Sequence, residues 1–325
     1  MFTYFSRQIQ KRIPQTMANV FAYVENQAKD LNTALFPDEW SKPRQPVGSA
    51  TPAERHPNWE RAPEGWVYQS ASLLRRNVRA AWKSYRYLKT PTLPSREVVS
   101  TELLTEIEDI AIAMGATAIG YAKVTPDMIF EDMAVPHENA IVIISEMDHQ
   151  ATDKAPHADV LLEVQRTYAT TTEIANTLTE RLRREGYSAY AGIAIGGALD
   201  HVRLAEKANL GAIGYHGMLI APQSGARLRI NVLYTNITNL PFAEENDHQW
   251  VLDFCAMCKK CIRGCPAKAI KFNPPSDAIG RKAVIDNQKC SDYMAANYTC
   301  SICMSICPFS RAGYDKIKAS FKGIK

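Results

Sequence analysis

The eight cysteines of this 325-residue chain all lie between positions 255 and 307, and they form two sets of four. Each set ends in a Cys-Pro pair, at Cys265 in the first set and at Cys307 in the second. The first set has the spacing C-x2-C-x2-C-x3-C-P, which is the iron-sulfur run of bacterial two-cluster ferredoxins. The second set keeps the C-x2-C-x3-C-P ending but has nine residues between Cys290 and Cys300. This pattern predicts two [4Fe-4S] clusters.

The spacing also predicts which cysteines share a cluster. Three thiolates within seven residues surround one cluster closely, so the fourth ligand must come from another part of the chain. In two-cluster ferredoxins the last cysteine of each run binds the other cluster. The predicted ligands of the first cluster are Cys255, Cys258, Cys261 and Cys307. The predicted ligands of the second cluster are Cys265, Cys290, Cys300 and Cys303.

Zinc and disulfide bonds are the alternative uses of such cysteines. Structural zinc sites are usually built from paired C-x2-C hooks, often with a histidine. Here a third cysteine follows at two-residue spacing, and no histidine lies within either set. Disulfides stabilise secreted chains by joining distant segments, which neighbours two residues apart in a tight loop do not do. The spacing therefore favours iron-sulfur clusters.

Composition limits the class of protein. With 46% hydrophobic and 22% charged residues the chain is ordinary for a globular protein, and its net charge of +4 is too small to indicate nucleic-acid binding. No run approaches 18 apolar residues, so we expect no transmembrane segment. The N-terminal residues show neither an apolar region after their charges nor an early twin-arginine pair. We therefore predict a cytoplasmic location, which also suits oxygen-sensitive clusters.

The first hundred residues are predicted to form an arm followed by a basic helix. Six prolines between residues 36 and 66 exclude long helices there, so we expect an extended arm. Residues 73–89 carry apolar side chains at helical spacing, together with six basic side chains and no acidic one. This basic amphipathic helix either packs by its apolar stripe, or contacts an acidic electron donor or an anionic lipid surface as a peripheral membrane protein would.

From residue 100 the chain alternates between helical and extended patterns, as expected of an α/β or α+β core. Helices are predicted over residues 103–114, 159–185 and 199–209. Strands are predicted over residues 116–124, 140–145, 188–195, 218–221 and 227–234. The apolar run at 140–145 predicts a strand buried on both faces, whereas 227–234 alternates apolar and polar side chains.

A glycine turn at Gly211, Gly214 and Gly217 precedes the last two predicted strands. Its spacing is neither the G-x-G-x-x-G of dinucleotide sites nor a Walker A loop, so a phosphate site is not indicated. Three glycines allow the backbone to approach either a flat cofactor edge or another part of the chain. The sequence leaves both interpretations open.

Several segments resemble, in this order along the chain, the cobalamin-dependent reductive dehalogenases and, more distantly, the epoxyqueuosine reductases. The resemblance covers residues 97–311. Besides the cysteines it is carried by residues 140–148 (AIVIISEMD), 181–189 (RLRREGYSA), 210–220, 225–229 (GARLR), 234–235 (YT), 290–293 (CSDY) and 300–310 (CSICMSICPFS). Apart from the cysteines each segment is weak alone, and it is their common order and spacing that carries the resemblance.

The resemblance implies a nitroreductase-like, cobalamin-binding core followed by a bacterial ferredoxin-like domain with two [4Fe-4S] clusters. The implied domains are an N-terminal arm and basic helix at 1–96, a corrinoid-binding α/β core at 97–245 and the two-cluster domain at 246–325. The corrinoid would be bound base-off, and the sequence indeed lacks a D-x-H-x-x-G signature. The implied reaction removes halide from an organohalide with two electrons and one proton. A ferredoxin, flavodoxin or reductase would supply the electrons.

The resemblance also implies site residues. In the family a tyrosine donates the proton and a nearby Lys or Arg stabilises its phenolate, because a phenol with an ordinary pKa of about 10 is a weak acid near neutrality. Tyr168 matches that tyrosine, with Tyr187 and Tyr190 as rivals. Tyr215 and His216 stand where the family has a basic residue, so we expect a protonated His216 to take that role. Corrin contacts are expected at Gly211, Gly214, Gly217 and Arg227.

Two further functions remain open. The missing basic residue in the glycine turn is compatible with a non-catalytic iron-sulfur electron carrier or a corrinoid-binding accessory protein. An epoxyqueuosine reductase-like enzyme is the third interpretation, although residues 146–148 (EMD) and 307–310 (CPFS) resemble the dehalogenases more closely.

Overall fold

The computed structural model describes residues 66–322, apart from residues 91, 131, 132, 134, 195, 196 and 274–283. The arm predicted for residues 36–66 lies outside the described residues, except for Trp66 at the start of the first helix. The helices of the core are α1 (Trp66–Lys89), α2 (Thr101–Ala113), α3 (His149–Asp153), α4 (Ala158–Arg184) and α5 (His201–Lys207). The short helices that follow are α6 (Trp250–Cys258), α7 (Lys260–Gly264), α8 (Asn287–Ala296), α9 (Ile302–Ser305), α10 (Pro308–Ala312) and α11 (Tyr314–Lys322).

The strands form one sheet of four and one separate hairpin. Their bounds are β1 (Ala118–Lys123), β2 (Asn139–Glu146), β3 (Ala189–Ala191), β4 (Ala212–Ile213), β5 (Leu219–Ile220) and β6 (Leu228–Thr235). The sheet has the order β1-β2-β6-β3, and each of its pairings is antiparallel. β4 and β5 pair with each other outside the sheet. The core is therefore of the α+β class, with an antiparallel sheet.

Helices cover both faces of the sheet. One face carries Val142 and Ile144 and packs against Leu204 of α5. The other carries Ile141 and Ile143 and packs against α2 and α4, at residues such as Ile107 and Ile174. β2 is a central strand and both of its faces are buried, which confirms the burial predicted from its apolar run.

The basic helix α1 packs against α4. Asn77 donates a hydrogen bond to the Gln165 carbonyl at 2.8 Å, and Ser84 donates to Asn176 at 3.0 Å. Arg76 forms an ion pair with Glu173, with 2.7 Å between Nε and Oε1. The packing alternative for this helix is thus confirmed, while Arg75, Arg79, Arg86 and Lys89 remain on its exposed side.

Three predicted elements differ from the structure in extent. The basic helix begins seven residues earlier than predicted, at Trp66. The strand predicted at 188–195 pairs only from Ala189 to Ala191. The glycine turn, predicted to be flexible, contains β4 and is part of a hairpin. Among the helices in the described part of the chain, none has the length and apolar character needed to cross a bilayer.

Candidate functional site

Three short helices position the first cysteine set. α6 carries Cys255 and Cys258, α7 carries Cys261, and Cys307 is the N-cap residue of α10. α6 and α7 meet at Lys259, whose left-handed φ of 49° turns the chain sharply. All four cysteines line one pocket. The structure therefore places Cys307, from the second sequence run, beside the first three cysteines of the first run.

The surroundings of this pocket oppose free thiolates, although nearby backbone N–H groups act in the opposite direction. Burial, with a smaller contribution from neighbouring thiols of the set, raises the pKa of Cys255 to about 12 and that of Cys307 to about 11. The N–H of Tyr215 near Cys255, and those of Phe309 and Ser310 near Cys307, lower these pKa values by smaller amounts. Such N–H groups favour the thiolate, which is the form that binds metals.

The second cysteine set is more exposed than the first. Cys265, Cys290, Cys300 and Cys303 are all partly exposed, whereas Cys255, Cys261 and Cys307 are buried. Burial raises the pKa of Cys303 to about 12, and the nearby thiols of Cys300, Cys290, Cys261 and Cys265 raise it by smaller amounts. The Cys265 thiol also raises the pKa values of Cys290 and Cys300, where no cysteine of the first run other than Cys265 contributes. Cys265, from the first run, thus lies near the cysteines of the second run.

The backbone beside the second set is strained. Tyr298, Thr299, Cys300 and Ser301 have consecutive positive φ angles of 48°, 66°, 52° and 64°. Such a conformation costs about 1–2 kcal/mol per residue that carries a Cβ atom. Strain of this kind is concentrated at functional sites in proteins, where surrounding interactions hold it in place.

The residues of both groups are compatible with iron-sulfur clusters, whose ligands are cysteine thiolates. None of the eight cysteines is in a disulfide. Within residues 66–322, excluding the undescribed positions, no three side chains of His, Cys, Asp or Glu lie close enough to hold one metal ion.

Tyr168 and Arg229 form a second candidate pair. Tyr168 lies on α4, is partly exposed, and packs against the buried hydrophobic cluster that includes Cys255 and Cys307. The guanidinium carbon of Arg229, on β6, lies 5.0 Å from the centroid of the Tyr168 ring, which is a cation–π contact. Arg229 therefore places a permanent positive charge beside Tyr168, which Tyr215 and His216 of the glycine turn do not.

Two buried polar atoms at this position have no hydrogen-bond partner. Ser145 and Arg229 are direct partners in the β2–β6 ladder, so their side chains point to the same face of the sheet. Ser145 Oγ and Arg229 Nε are both buried without a hydrogen-bond partner. Buried polar groups are otherwise almost always satisfied. An orphaned hydroxyl and an orphaned guanidinium nitrogen beside Tyr168 fit a bound polar ligand.

The burial of His216 argues against the protonated state expected of it. His216 is only 2% exposed, and burial lowers its pKa to about 4. The imidazole is therefore neutral near pH 7 and provides no positive charge for a phenolate. Its Nδ1 accepts a hydrogen bond from the Met218 N–H at 3.2 Å, which fixes it within the turn. Tyr215, beside it, presents its backbone N–H to Cys255.

Other atoms of the chain fill the space beside each of the three glycines of the turn. A Cβ atom on Gly211 would lie 2.2 Å from the carbonyl oxygen of Ile220, and one on Gly214 would lie 2.6 Å from the Ile220 Cδ1 atom. A Cβ atom on Gly217 would meet Ile285 at 3.0 Å. Of the two interpretations that the sequence left open, the geometry supports close packing of the chain at these positions.

Arg227 lies between the core and the Cys-Pro-Phe-Ser segment. It is 8% exposed, donates to the carbonyl oxygen of Ser310, and forms an ion pair with Glu146 at 2.9 Å. The two terminal nitrogens of its guanidinium are therefore bound by protein groups. The corrin contact predicted for Arg227 stays a prediction.

The rival tyrosines are core residues. Tyr187 is 2% exposed and its hydroxyl donates to the Val98 carbonyl at 2.8 Å. Tyr190 packs in the hydrophobic cluster on the face of the sheet that carries Val142 and Ile144. The guanidinium carbon of Arg183 lies 4.8 Å from the centroid of its ring. Tyr168 is the candidate that packs against the hydrophobic cluster containing Cys255 and Cys307. Arg229, missed in the sequence, was visible only as one polar position in the alternating pattern of 227–234.

Comparison with curated proteins finds relatives among the reductive dehalogenases and the epoxyqueuosine reductases. The chain is 30% identical over 211 residues to a tetrachloroethene reductive dehalogenase of Desulfitobacterium hafniense, and 29% identical over 196 residues to one of Sulfurospirillum multivorans. An epoxyqueuosine reductase of Listeria monocytogenes is 29% identical over 126 residues. The first match covers 61% of this chain but only 37% of the relative, so the chain matches well under half of that protein. No family model matches.

Solved structures show the same fold. The catabolic reductive dehalogenase NpRdhA, in complex with 3-bromo-4-hydroxybenzoic acid, superposes with a TM-score of 0.61 at 22% identity. That match covers 74% of this chain and 37% of the other. A reductive dehalogenase described as acting by B12-dependent dehalogenation gives a TM-score of 0.61 at 20% identity, over 81% of this chain and 43% of the other.

Proposed function

Because the chain is related to the reductive dehalogenases and, more distantly, to the epoxyqueuosine reductases, we propose that it is a corrinoid and iron-sulfur oxidoreductase that removes halide from an organohalide. The observation that carries this proposal is the position of Tyr168, whose ring lies under the guanidinium of Arg229 and packs against the hydrophobic cluster that contains Cys255 and Cys307. A candidate proton donor and a permanent cation thus lie in contact, on the core that packs against the first cysteine set. Its cytoplasmic location stays a prediction.

Two [4Fe-4S] clusters are proposed as the resident electron carriers, held by a ferredoxin-like C-terminal domain. The first would be held by Cys255, Cys258, Cys261 and Cys307. The second would be held by Cys265, Cys290, Cys300 and Cys303. Such clusters supply single electrons, with potentials that depend on hydrogen bonds to sulfur and on solvent exposure. The second set is the more exposed one, so it is the side that an external donor such as a ferredoxin, flavodoxin or reductase can approach.

The proposed corrinoid is base-off cobalamin. When bound, it supplies cobalt chemistry for reduction of the carbon-halogen bond, which side chains cannot perform themselves. Ser145 Oγ and Arg229 Nε, both buried and unpaired, are the groups of this chain that fit its polar periphery or the substrate. The tight packing of the glycine turn makes these residues better candidates for cofactor contacts than Gly211, Gly214 and Gly217.

In this proposal Tyr168 gives its phenolic proton to the carbon that loses halide. Arg229, 5.0 Å from the ring, stabilises the phenolate that remains. Because the guanidinium stays protonated at any physiological pH, this charge is permanent, unlike that of a histidine. General acid catalysis of this kind contributes about 10²–10⁴-fold to a rate.

The test is halide release by the anaerobically reconstituted protein with a chemical reductant. Tetrachloroethene and 3-bromo-4-hydroxybenzoic acid serve as probes because they appear with the relatives. Tyr168→Phe removes only the hydroxyl, and we expect a loss on the order of 10²-fold or more with unchanged iron and corrinoid content. Tyr187→Phe, which alters a buried core hydroxyl, is the matched control and should retain activity.

Full activity in Tyr168→Phe would overturn the assignment of the proton donor. Corrinoid binding without halide release from any organohalide would favour the accessory-protein alternative. That alternative is the second candidate, and the closed packing of the glycine turn, where the dehalogenases carry a basic residue, is the observation in its favour.

A further inference from the structure

Residues 225–227 form a turn of the core that contacts the Cys307 segment, residues 307–310, directly. A Cβ atom on Gly225 would lie 2.6 Å from the backbone carbonyl of Phe309, so the two backbones are in direct contact. The Ala226 N–H donates to Ser310 Oγ at 3.1 Å, and the Arg227 guanidinium donates to the Ser310 carbonyl oxygen. Ser310 is 4% exposed and Arg227 is 8% exposed. Three consecutive residues of the core thus hold two consecutive residues of the segment.

The same segment determines the surroundings of the Cys307 sulfur. Cys307 is the N-cap of α10, and its carbonyl oxygen accepts a hydrogen bond from the Ser310 N–H at 3.0 Å. The N–H groups of Phe309 and Ser310 are also close enough to its sulfur to lower the pKa of the thiol, against the larger effect of burial. Arg227 donates to the Ser310 carbonyl oxygen, and Glu146, at the end of β2, forms an ion pair with the Arg227 guanidinium at 2.9 Å. Arg227 therefore helps to hold the segment that carries both N–H groups.

We propose that Arg227 is a positioning residue for the fourth ligand of the first cluster, and that it sets the reduction potential of that cluster. The inference rests on the proposed cluster ligands. Its guanidinium acts in two ways. It holds the segment whose N–H groups lie beside the Cys307 sulfur, and it places a buried positive charge on the carbonyl oxygen of Ser310, three residues along the chain from that proposed ligand. Both effects make reduction easier, because they stabilise added negative charge.

The experiment is a redox titration of the reconstituted full chain, followed by electron paramagnetic resonance of the reduced clusters. Arg227→Gln keeps a hydrogen-bond donor of similar reach but removes the charge. We expect the equilibrium constant for one-electron reduction of one cluster to fall about tenfold, which is about 59 mV towards more negative potential. The second cluster should be unaffected, because none of its proposed ligands lies on the Cys307 segment.

Two further variants make the result specific. Ser310→Ala removes the hydroxyl that accepts from Ala226 and should shift the same signal by a smaller amount, even if Arg227→Gln proves unstable. Arg203→Gln is the matched control, because Arg203 pairs with Asp127 at 2.6 Å in the core, away from the cysteines. Its clusters should titrate as in the unchanged protein.

The outcomes separate this inference from the function on which it rests. A wild-type protein without two reducible clusters would overturn both. Two normal clusters whose potentials are the same in Arg227→Gln and Ser310→Ala would overturn only the role of Arg227. An equal shift of both clusters would also contradict it, because the effect would then be a general change in stability or charge.

Discussion

Replacement of Gly225 by alanine should damage the contact between the core and the Cys307 segment more than a comparable change elsewhere. Gly225 has a φ of +57°, in the left-handed region that residues with a Cβ atom rarely adopt. The added methyl group would lie 2.6 Å from both the carbonyl carbon and oxygen of Phe309, and 2.7 Å from the Ser310 nitrogen. These atoms are backbone atoms, so no side-chain rotation can relieve the clash.

The expected loss of folding stability in Gly225→Ala has two parts. The left-handed backbone costs about 1–2 kcal/mol once a Cβ atom is present. Forcing an extra methyl group into a filled space costs about a further 1–3 kcal/mol. Gly313→Ala is the matched control, since its φ of +91° imposes backbone strain while no atom lies within 4 Å of the new methyl group. Gly313→Ala should therefore show only a backbone cost, of about 1–3 kcal/mol for its φ of 91° and ψ of 149°.

The assay is the apparent thermal unfolding midpoint of the reconstituted proteins at one fixed scan rate, with iron content measured in parallel. We expect Gly225→Ala to lower the midpoint more than Gly313→Ala, because the filled space adds a cost of about 1–3 kcal/mol. It should also perturb the cluster that uses Cys307. Equal decreases in the two variants, with identical cluster spectra, would refute the argument that the core backbone contacts Phe309 and Ser310 directly.

Three other perturbations have defined outcomes. Cys265→Ser should alter the resonance signal of the cluster held by Cys290, Cys300 and Cys303, and an effect on the signal that Cys258→Ser changes would show that the ligands do not cross. Arg229→Gln should reduce halide release about as much as Tyr168→Phe, and Arg229→Lys should retain more activity than Arg229→Gln because the charge is kept. Burial lowers the pKa of His137 to about 4. The unfolded chain therefore binds more protons, so stability falls as pH decreases from about 6.5 towards 4. His137→Asn should weaken this dependence, by up to about 3 kcal/mol, in unfolding measured at several pH values.

Periodicity in the sequence was sufficient for the elements whose burial is strong. The apolar run at 140–145 predicted a buried strand because helices on both faces remove it from water, whatever their identity. The long helix predicted at 159–185 is observed as Ala158–Arg184, since its apolar stripe and Gly186 define both its face and its end. The cysteine spacing likewise predicted the ligand sets, and the structure places Cys307 in the pocket of the first run.

Contacts between distant positions could not be predicted in the same way. Arg229 and Tyr168 belong to different elements, and their approach depends on the register between β2 and β6 and on how α4 crosses the sheet. The burial of His216, which lowers its pKa, depends on the packing of a hairpin that the sequence indicated only as a turn. The glycines of that turn were ambiguous because a cofactor and a neighbouring backbone make the same demand on side-chain size.

The most direct test of the central claim is the metal and corrinoid content of the protein after anaerobic reconstitution with iron, sulfide and cobalamin, read together with its visible spectrum. The two cysteine sets predict about eight iron and about eight sulfide per chain. The family relationship predicts stoichiometric cobalamin with a base-off spectrum. Stoichiometric zinc with little iron would contradict the cluster assignment, and intact clusters in a protein that binds no cobalamin would contradict the proposed corrinoid oxidoreductase.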